Sequence, residues 1–361
     1  MSSIRVLVVD DAVVMQQILT EVLGSDPDIT VSGAVPNGRL ALMQIPRVKP
    51  DIVTLDIEMP EMDGLETLKE IRKHYPKLPV IMLSALTEKG GETTLNALAS
   101  GASDYVTKPE KVNNIMECIE RLTTELIPKI KTLCSSVPAK NLPTISSKAR
   151  SLVSSRLNTC SIKGLSIPRI VAIGSSTGGP NALAQIFKTM PQNIEVPIVI
   201  VQHMPPMFTK ILAERLDGES KFSIKEAEDG EKLLPNHAYL APGGFHMGLK
   251  NSGSDVFIAL NQNPQENSCR PAVDVLFRDV ARIFGQNVLG VVLTGMGQDG
   301  LCGSEVICEN GGKIIVQDKE TSVVWGMPGC IAEANLADNI ISIDKVNEEI
   351  LKRLKWREMV A

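Results

Sequence analysis

Residues 4–11 read IRVLVVDD, a nearly continuous apolar run that ends in two aspartates. The pattern recurs three times in the next hundred residues: Ile52–Leu55 before Asp56, Val80–Leu83 before Ser84, and Tyr105-Val106-Thr107 before Lys108-Pro109. Strands apolar on both faces belong to a parallel sheet covered on both sides, and the helical periodicity of Met15–Leu23 and Leu65–Tyr75 supplies such cover. Ligands of these sheets bind beyond the carboxyl ends of the strands. Asp10, Asp11, Asp56, Ser84 and Lys108 all lie at such ends, so the five are expected to converge. Three carboxylates at one edge repel unless a cation sits among them, and hard oxygen donors suit Mg²⁺. A carboxylate beside that ion can accept a phosphoryl group. Lys108 would balance the added charge, and Ser84 would donate to a phosphoryl oxygen.

The remaining chain is long enough for a second domain, since 361 residues exceed one ordinary domain. Hydrophobic residues at 43% and charged residues at 22% are globular values that exclude disorder and collagen-like repeats. Aromatics at 3% leave no base-stacking surface, and a net charge of −5 argues against a nucleic-acid-coating protein. Seven cysteines, at 118, 134, 160, 269, 302, 308 and 330, form no C-x-x-C pair, which favours reduced thiols in a cytoplasmic protein. No charged-then-apolar leader precedes the first strand, and no run of 18 residues is apolar throughout, so no membrane span is expected.

Charge divides the chain. Residues 1–125 are net −7, residues 126–168 net +7 with no acidic side chain, and residues 169–361 net −5. The middle segment is rich in Ser, punctuated by Pro and without sustained period, so it reads as a basic linker. From Ile170 the α/β alternation resumes in IVAIG, VPIVIVQHMP, VLGVVLTGMGQDG and GKIIVQD, with several short strands across residues 222–262 forming a β insertion.

Gly174–Gly179, GSSTGG, lies between a buried strand and a helix and matches G-x-S-x-G with Ser176 at its centre. That string serves equally as a nucleophile turn or as a non-catalytic phosphate cradle. The deciding question is whether a base reaches Ser176. Of the four histidines, His74 reads as a surface residue of the first domain, and His237 and His246 fall in the β insertion. His203 ends the strand after the serine loop, so it arrives at the same sheet edge. A base must come within about 2.6–3.2 Å of the hydroxyl. Asp299, after a third buried strand, would orient the imidazole, and glycines around it would let backbone N–H groups approach an oxyanion. The order Ser, His, Asp differs from that of α/β-hydrolases. Two other readings stand beside this one: an output domain that only binds a ligand at the Gly-rich loop, and a DNA-binding regulator using the basic linker. The net acidity of residues 169–361 weighs against the second of these.

Two resemblances follow. VVDD, VTLDIEMPEMDG, IMLSA and YVTKP make residues 1–125 resemble a two-component receiver domain of doubly wound, flavodoxin-like fold. The resemblance implies Asp56 as phosphoacceptor and Asp10, Asp11, Asp56 and the Glu58 carbonyl around Mg²⁺. It also implies Ser84, Lys108 and Tyr105 as switch residues. IGSSTGGP, VQHMPPMFT, AEDGEKLLPNHAYLAPGG, RPAVDVLF, LTGMGQDG and WGMPG make residues 169–361 resemble the catalytic domain of the bacterial chemotaxis protein-glutamate methylesterases, a mostly parallel α/β domain with a β insertion. That family implies Ser176 as nucleophile, His203 as base, Asp299 as orienter, the Met296 N–H as oxyanion donor and Thr177 in active-site support, with no cofactor for ester hydrolysis. It further implies methylated chemoreceptors as substrate, glutamine deamidation as a second activity, a CheA-type histidine kinase as phosphodonor, no nucleic acid and a cytoplasmic location peripheral to receptor arrays.

Overall fold

A computed structural model of the chain describes residues 3–85, 87–108, 115–134 and 167–355. The four apolar runs form strands of a five-stranded sheet: β1 (Ile4–Val9), β2 (Ile29–Val35), β3 (Ile52–Asp56), β4 (Val80–Ala85) and β5 (Asp104–Lys108), all parallel in the order β2-β1-β3-β4-β5. This is the expected doubly wound order. Helices α1 (Val13–Gly24), α2 (Gly38–Val48), α3 (Gly64–His74), α4 (Glu88–Ala99) and α5 (Ile115–Cys134) cover its faces. Side chains start three of them: Asn37, Asp63 and Thr87 each accept a first-turn N–H.

Helix α5 continues nine residues beyond 125, where the linker was expected to begin. The apolar positions Leu122, Leu126 and Ile130 recur every four residues and are buried against α1 and the sheet, so burial overrides the basic, proline-containing surface pattern. The rest of the expected linker, residues 135–166, lies outside the described residues.

The second domain carries a seven-stranded parallel sheet in the order β14-β13-β12-β6-β7-β9-β8. Its strands are β6 (Ile170–Ser175), β7 (Ile198–Gln202), β8 (Ser223–Glu226), β9 (His237–Leu240), β12 (Val288–Val292), β13 (Lys313–Gln317) and β14 (Asn339–Ile341). The expected insertion divides. Its first two strands join the main sheet beside β7, whereas β10 (His246–Ser252) and β11 (Asp255–Asn261) pair as a separate antiparallel hairpin. Helices α6 (Gly179–Lys188), α7 (Phe208–Glu219), α8 (Val273–Phe284), α9 (Leu301–Glu309), α10 (Met327–Glu333) and α11 (Ile343–Arg353) complete the domain.

The chain runs from β6 outward to β7, then returns to place β12 on the other side of β6. This reversal is a switch point where strand-end loops diverge and leave a crevice. The two domains also share apolar packing. Leu95, Leu98 and Tyr105 of the first belong to one continuous cluster with Phe208 and Leu212 of the second.

Candidate active site and receiver site

The carboxyl ends of β6, β7 and β12 lie side by side, because β12 pairs with β6 and β6 with β7. Ser176 leaves the first, His203 the second, and Asp299 follows the third. Gly178, at φ +80, turns the chain sharply into α6, a conformation in which a side chain would be strained. Gln202 braces the turn from β7, accepting the Ser175 hydroxyl at 2.7 Å and donating to the Ser176 carbonyl at 3.0 Å.

His203 Nε2 lies 2.8 Å from Asp299 Oδ2. The Asp299 carboxylate is buried at the start of α8, whose first N–H groups, Val273 and Asp274, donate to it at 2.6 and 3.0 Å. Helix N-termini favour such negative charge. Burial disfavours both charged forms, but each partner stabilises the other's. The Asp299 carboxyl is held below its ordinary range, while His203 is pushed up to about 10 with help from Cys269.

Ser176 and His203 line one cavity of about 20 Å³, room for a single water. Among the described residues the Ser176 hydroxyl makes no hydrogen bond, and His203 Nδ1 faces the Cys269 thiol at 3.5 Å. The expected Ser176–His203 hydrogen bond is therefore not formed in this arrangement. The upward shift of His203 beside Asp299 also favours the doubly protonated ring, which has no free nitrogen to accept the serine proton.

The first domain closes this cavity, contributing Leu98, Asp104, Tyr105 and Lys129 to its walls. Thr177 donates to Asp104 Oδ2 at 2.6 Å, and Lys129 pairs with the same oxygen at 3.0 Å. Tyr105 stacks on Phe208 with centroids 5.3 Å apart. Asn181 and Arg215 donate to the carbonyls of Leu98 and Leu95 near the end of α4. Thr132 of α5 reaches the Met296 sulfur at 3.3 Å. The Met296 side chain is thus engaged by the first domain, and Met296 is not among the residues that line the cavity. Asp104, Lys129, Gln202 and Cys269 were missed, since each acts across a contact that no local pattern records.

In the first domain, Asp10, Asp11 and Asp56 bring carboxylate oxygens within 4.8 Å of one another. Lys108 lies 2.6 Å from Asp10 and 2.8 Å from Asp56. Burial, aided by Asp10 and Asp11, outweighs Lys108 and raises Asp56 to about 6. An all-oxygen, over-charged donor set of this kind fits a hard divalent cation. Glu58 is exposed two residues beyond Asp56. Ser84 is buried and turned toward α4, where its hydroxyl accepts from Thr94 at 2.7 Å.

A receiver docked over an α/β domain with Ser, His and Asp at three neighbouring strand ends defines a response regulator with an enzyme-type output domain. The response regulator receiver family matches residues 6–120, and the CheB methylesterase family matches residues 171–350. A protein-glutamate methylesterase/protein-glutamine glutaminase of Trichodesmium erythraeum (strain IMS101) is 48% identical over 358 residues, 98% of this chain and 100% of the relative. One of Thermotoga maritima is 42% identical over 349 residues, 97% of this chain and 98% of the relative. The crystal structure of the Thermotoga maritima CheB methylesterase catalytic domain superposes with a TM-score of 0.51 at 46% identity, covering 51% of this chain and 98% of that one. The chain belongs to the protein-glutamate methylesterase/protein-glutamine glutaminase family.

Proposed function

We propose that this chain is a phosphorylation-activated esterase that hydrolyses γ-glutamyl methyl esters of chemoreceptors to glutamate and methanol, and deamidates receptor glutamines at the same site. The observation that carries this reading is that His203, paired with Asp299, lines a receiver-closed cavity together with Ser176.

Ser176 Oγ attacks the ester carbonyl as His203 takes the serine proton. The carbonyl π electrons move onto oxygen, where the Met296 N–H donates to the oxyanion. Collapse expels methoxide, which takes the proton from His203 and leaves as methanol. Water, deprotonated by His203, then attacks the acyl-enzyme and releases the glutamate side chain and Ser176. Asp299 orients the imidazole and balances its positive charge. For this sequence the Ser176 hydroxyl must replace the Cys269 thiol at His203 Nδ1, which requires rearrangement of the closed site.

Asp56 is the phosphoacceptor. Mg²⁺ held by Asp10, Asp11, Asp56 and the Glu58 carbonyl would neutralise charge during phosphoryl transfer from a CheA-type histidine kinase. Lys108 already spans Asp10 and Asp56, and Ser84 would turn toward the phosphoryl group, followed by Tyr105. Because Tyr105 stacks on Phe208 and its neighbour Asp104 holds Thr177, that motion acts on the closing contacts themselves. The ester chemistry needs no cofactor. Cys134, Cys269, Cys302 and Cys330 are free thiols, which supports a reducing, cytoplasmic setting beside receptor arrays.

The test is methanol release from methylated chemoreceptor membranes with and without beryllofluoride. Release that rises with beryllofluoride is expected. No release in either condition would overturn the esterase reading, and release unaffected by beryllofluoride would overturn the gating.

A further inference from the structure

Behind the His203–Asp299 pair lies a second buried carboxylate. Asp274, in the first turn of α8, is 2% exposed, as is Asp299. One Asp274 oxygen accepts the Gly303 N–H, and the other accepts from Asn267 Nδ2 at 2.9 Å. The same Asn267 nitrogen donates to Asp299 Oδ1 at 2.9 Å. An amide nitrogen carries two hydrogens, so one side chain serves both acids.

The backbone that presents Asn267 is purpose-shaped. Glu266 and Cys269 exchange backbone hydrogen bonds at 3.1 and 2.9 Å, and the two residues between them, Asn267 and Ser268, have φ +52 and +60. Positive φ at both central positions is the type I′ pattern, in which asparagine is among the tolerated residues. Arg278 of α8 holds Glu266 through two 2.6 Å bonds, anchoring the turn to the helix whose N-terminus receives Asp299. The turn's last residue, Cys269, meets His203 Nδ1. One turn therefore touches both the acid and the base.

We propose that Asn267 is a positioning residue for the hydrolysis assigned to Ser176, His203 and Asp299. Its amide fastens Asp299 to Asp274 and tempers the negative charge that the imidazole faces. The proposal rests on the esterase reading for its catalytic consequence and on geometry alone for its effect on His203. Without the amide, Asp299 keeps the backbone donors Val273, Asp274 and Gly300, so its place is preserved. What it loses is a donor that shares its charge, and the imidazolium is then held more tightly. A base held protonated is a weaker base at neutral pH.

The charged and titratable groups around the pair are Glu266 and Cys269 from the turn and Asp274 from α8, with Arg278 and Cys302 one contact further out beside Glu266 and Asp274, and Asp104 and Lys129 lining the same cavity as His203. None is altered in the variants below.

The test uses the full-length protein with Asn267→Gly, which keeps the left-handed backbone but removes the amide, and Asn267→Asp, which keeps the shape but exchanges donor for acceptor. With only four histidines in the chain, imidazole NMR signals are resolvable, and His203→Gln assigns the one of interest. Both variants should move the His203 titration upward by about 0.5 pH. With beryllofluoride and methylated receptor membranes, kcat at neutral pH should fall about threefold, the factor set by a shift of about 0.5 pH in the base, with KM unchanged, and the acid limb of the pH–rate profile should move upward. An unmoved His203 titration overturns the proposal, as does a loss of kcat that only follows a fall in Tm with the pH profile in place. If wild-type protein releases no methanol, the esterase reading fails on its own, and the NMR titration still decides the contact.

Discussion

The receiver–catalytic contact can be broken from a position that touches no reacting atom. Gly91 is buried in α4, and a Cβ built there would stand 2.6 Å from the Ile211 terminal methyl of α7 and 3.7 Å from the Phe208 ring. A leucine cannot be accommodated while α4 rests on α7. Overpacking of this kind costs about 1–3 kcal/mol. The penalty exists only in the closed arrangement, because α4 of an undocked receiver presents position 91 to water. Replacing glycine inside a helix favours the helix by up to about 1 kcal/mol, equally in both states, so the receiver itself should fold at least as well. The ratio of closed to open protein should therefore fall about five- to 150-fold. Methanol release by unphosphorylated Gly91→Leu protein should rise by the same factor until the open rate is reached, and stimulation by beryllofluoride should shrink in proportion. Gly91→Ala should do less, since the Ile211 methyl can swing aside. Unchanged basal release with full stimulation would refute the idea that the α4–α7 packing holds the site shut.

Four further outcomes follow from the same geometry. Ser176→Ala should abolish methanol release while leaving the Tm and receptor binding nearly unchanged. Asp104→Ala removes the acceptor shared by Thr177 and Lys129, and should raise basal release several-fold without altering the beryllofluoride-saturated rate. Burial raises Asp56 to about 6, so its folded-state charge destabilises the protein as pH rises through the interval from about 4 to 6. Asp56→Asn should then stabilise the protein on the order of 2 kcal/mol at pH 7 and little at pH 4, with Mg²⁺ raising the Tm of the wild type more than that of the variant. The His203–Asp299 pair has the opposite profile: with His203 near 10 when folded, its stabilisation is complete below about pH 6.5 and is lost as pH rises toward 10. Asp299→Asn should flatten that alkaline decline in urea titrations.

Much of this could be read from the chain because parallel sheets announce themselves. Val53, Leu55, Ile173, Val199 and Val291 are buried on both sides of their sheets, so the strands are apolar throughout and the polar residue that ends each run stands out. Asp56, Ser176, His203 and Asp299 stand out as candidates in that way. The α5 boundary was harder, since Pro128 and a basic surface hide the spacing of Leu122, Leu126 and Ile130, which only a packing partner makes decisive. The closing contacts were invisible for another reason. Thr177 and Asp104 are 73 residues apart, and Tyr105 meets Phe208 across two domains, so no periodicity links them. Asn267 sits in a polar stretch that reads as an ordinary turn, and its meaning arises only where Asp274 and Asp299 converge on it.

The continuous apolar cluster through Leu98, Tyr105 and Phe208 has a thermal consequence. Parting the domains exposes those surfaces to water and so raises the heat capacity, and apolar association weakens as temperature falls. Cooling should loosen the closed enzyme even without a phosphoryl group. The resting rate would then decline less steeply in the cold than the rate of the fully open enzyme, giving a cell modest thermal compensation in resetting its receptors.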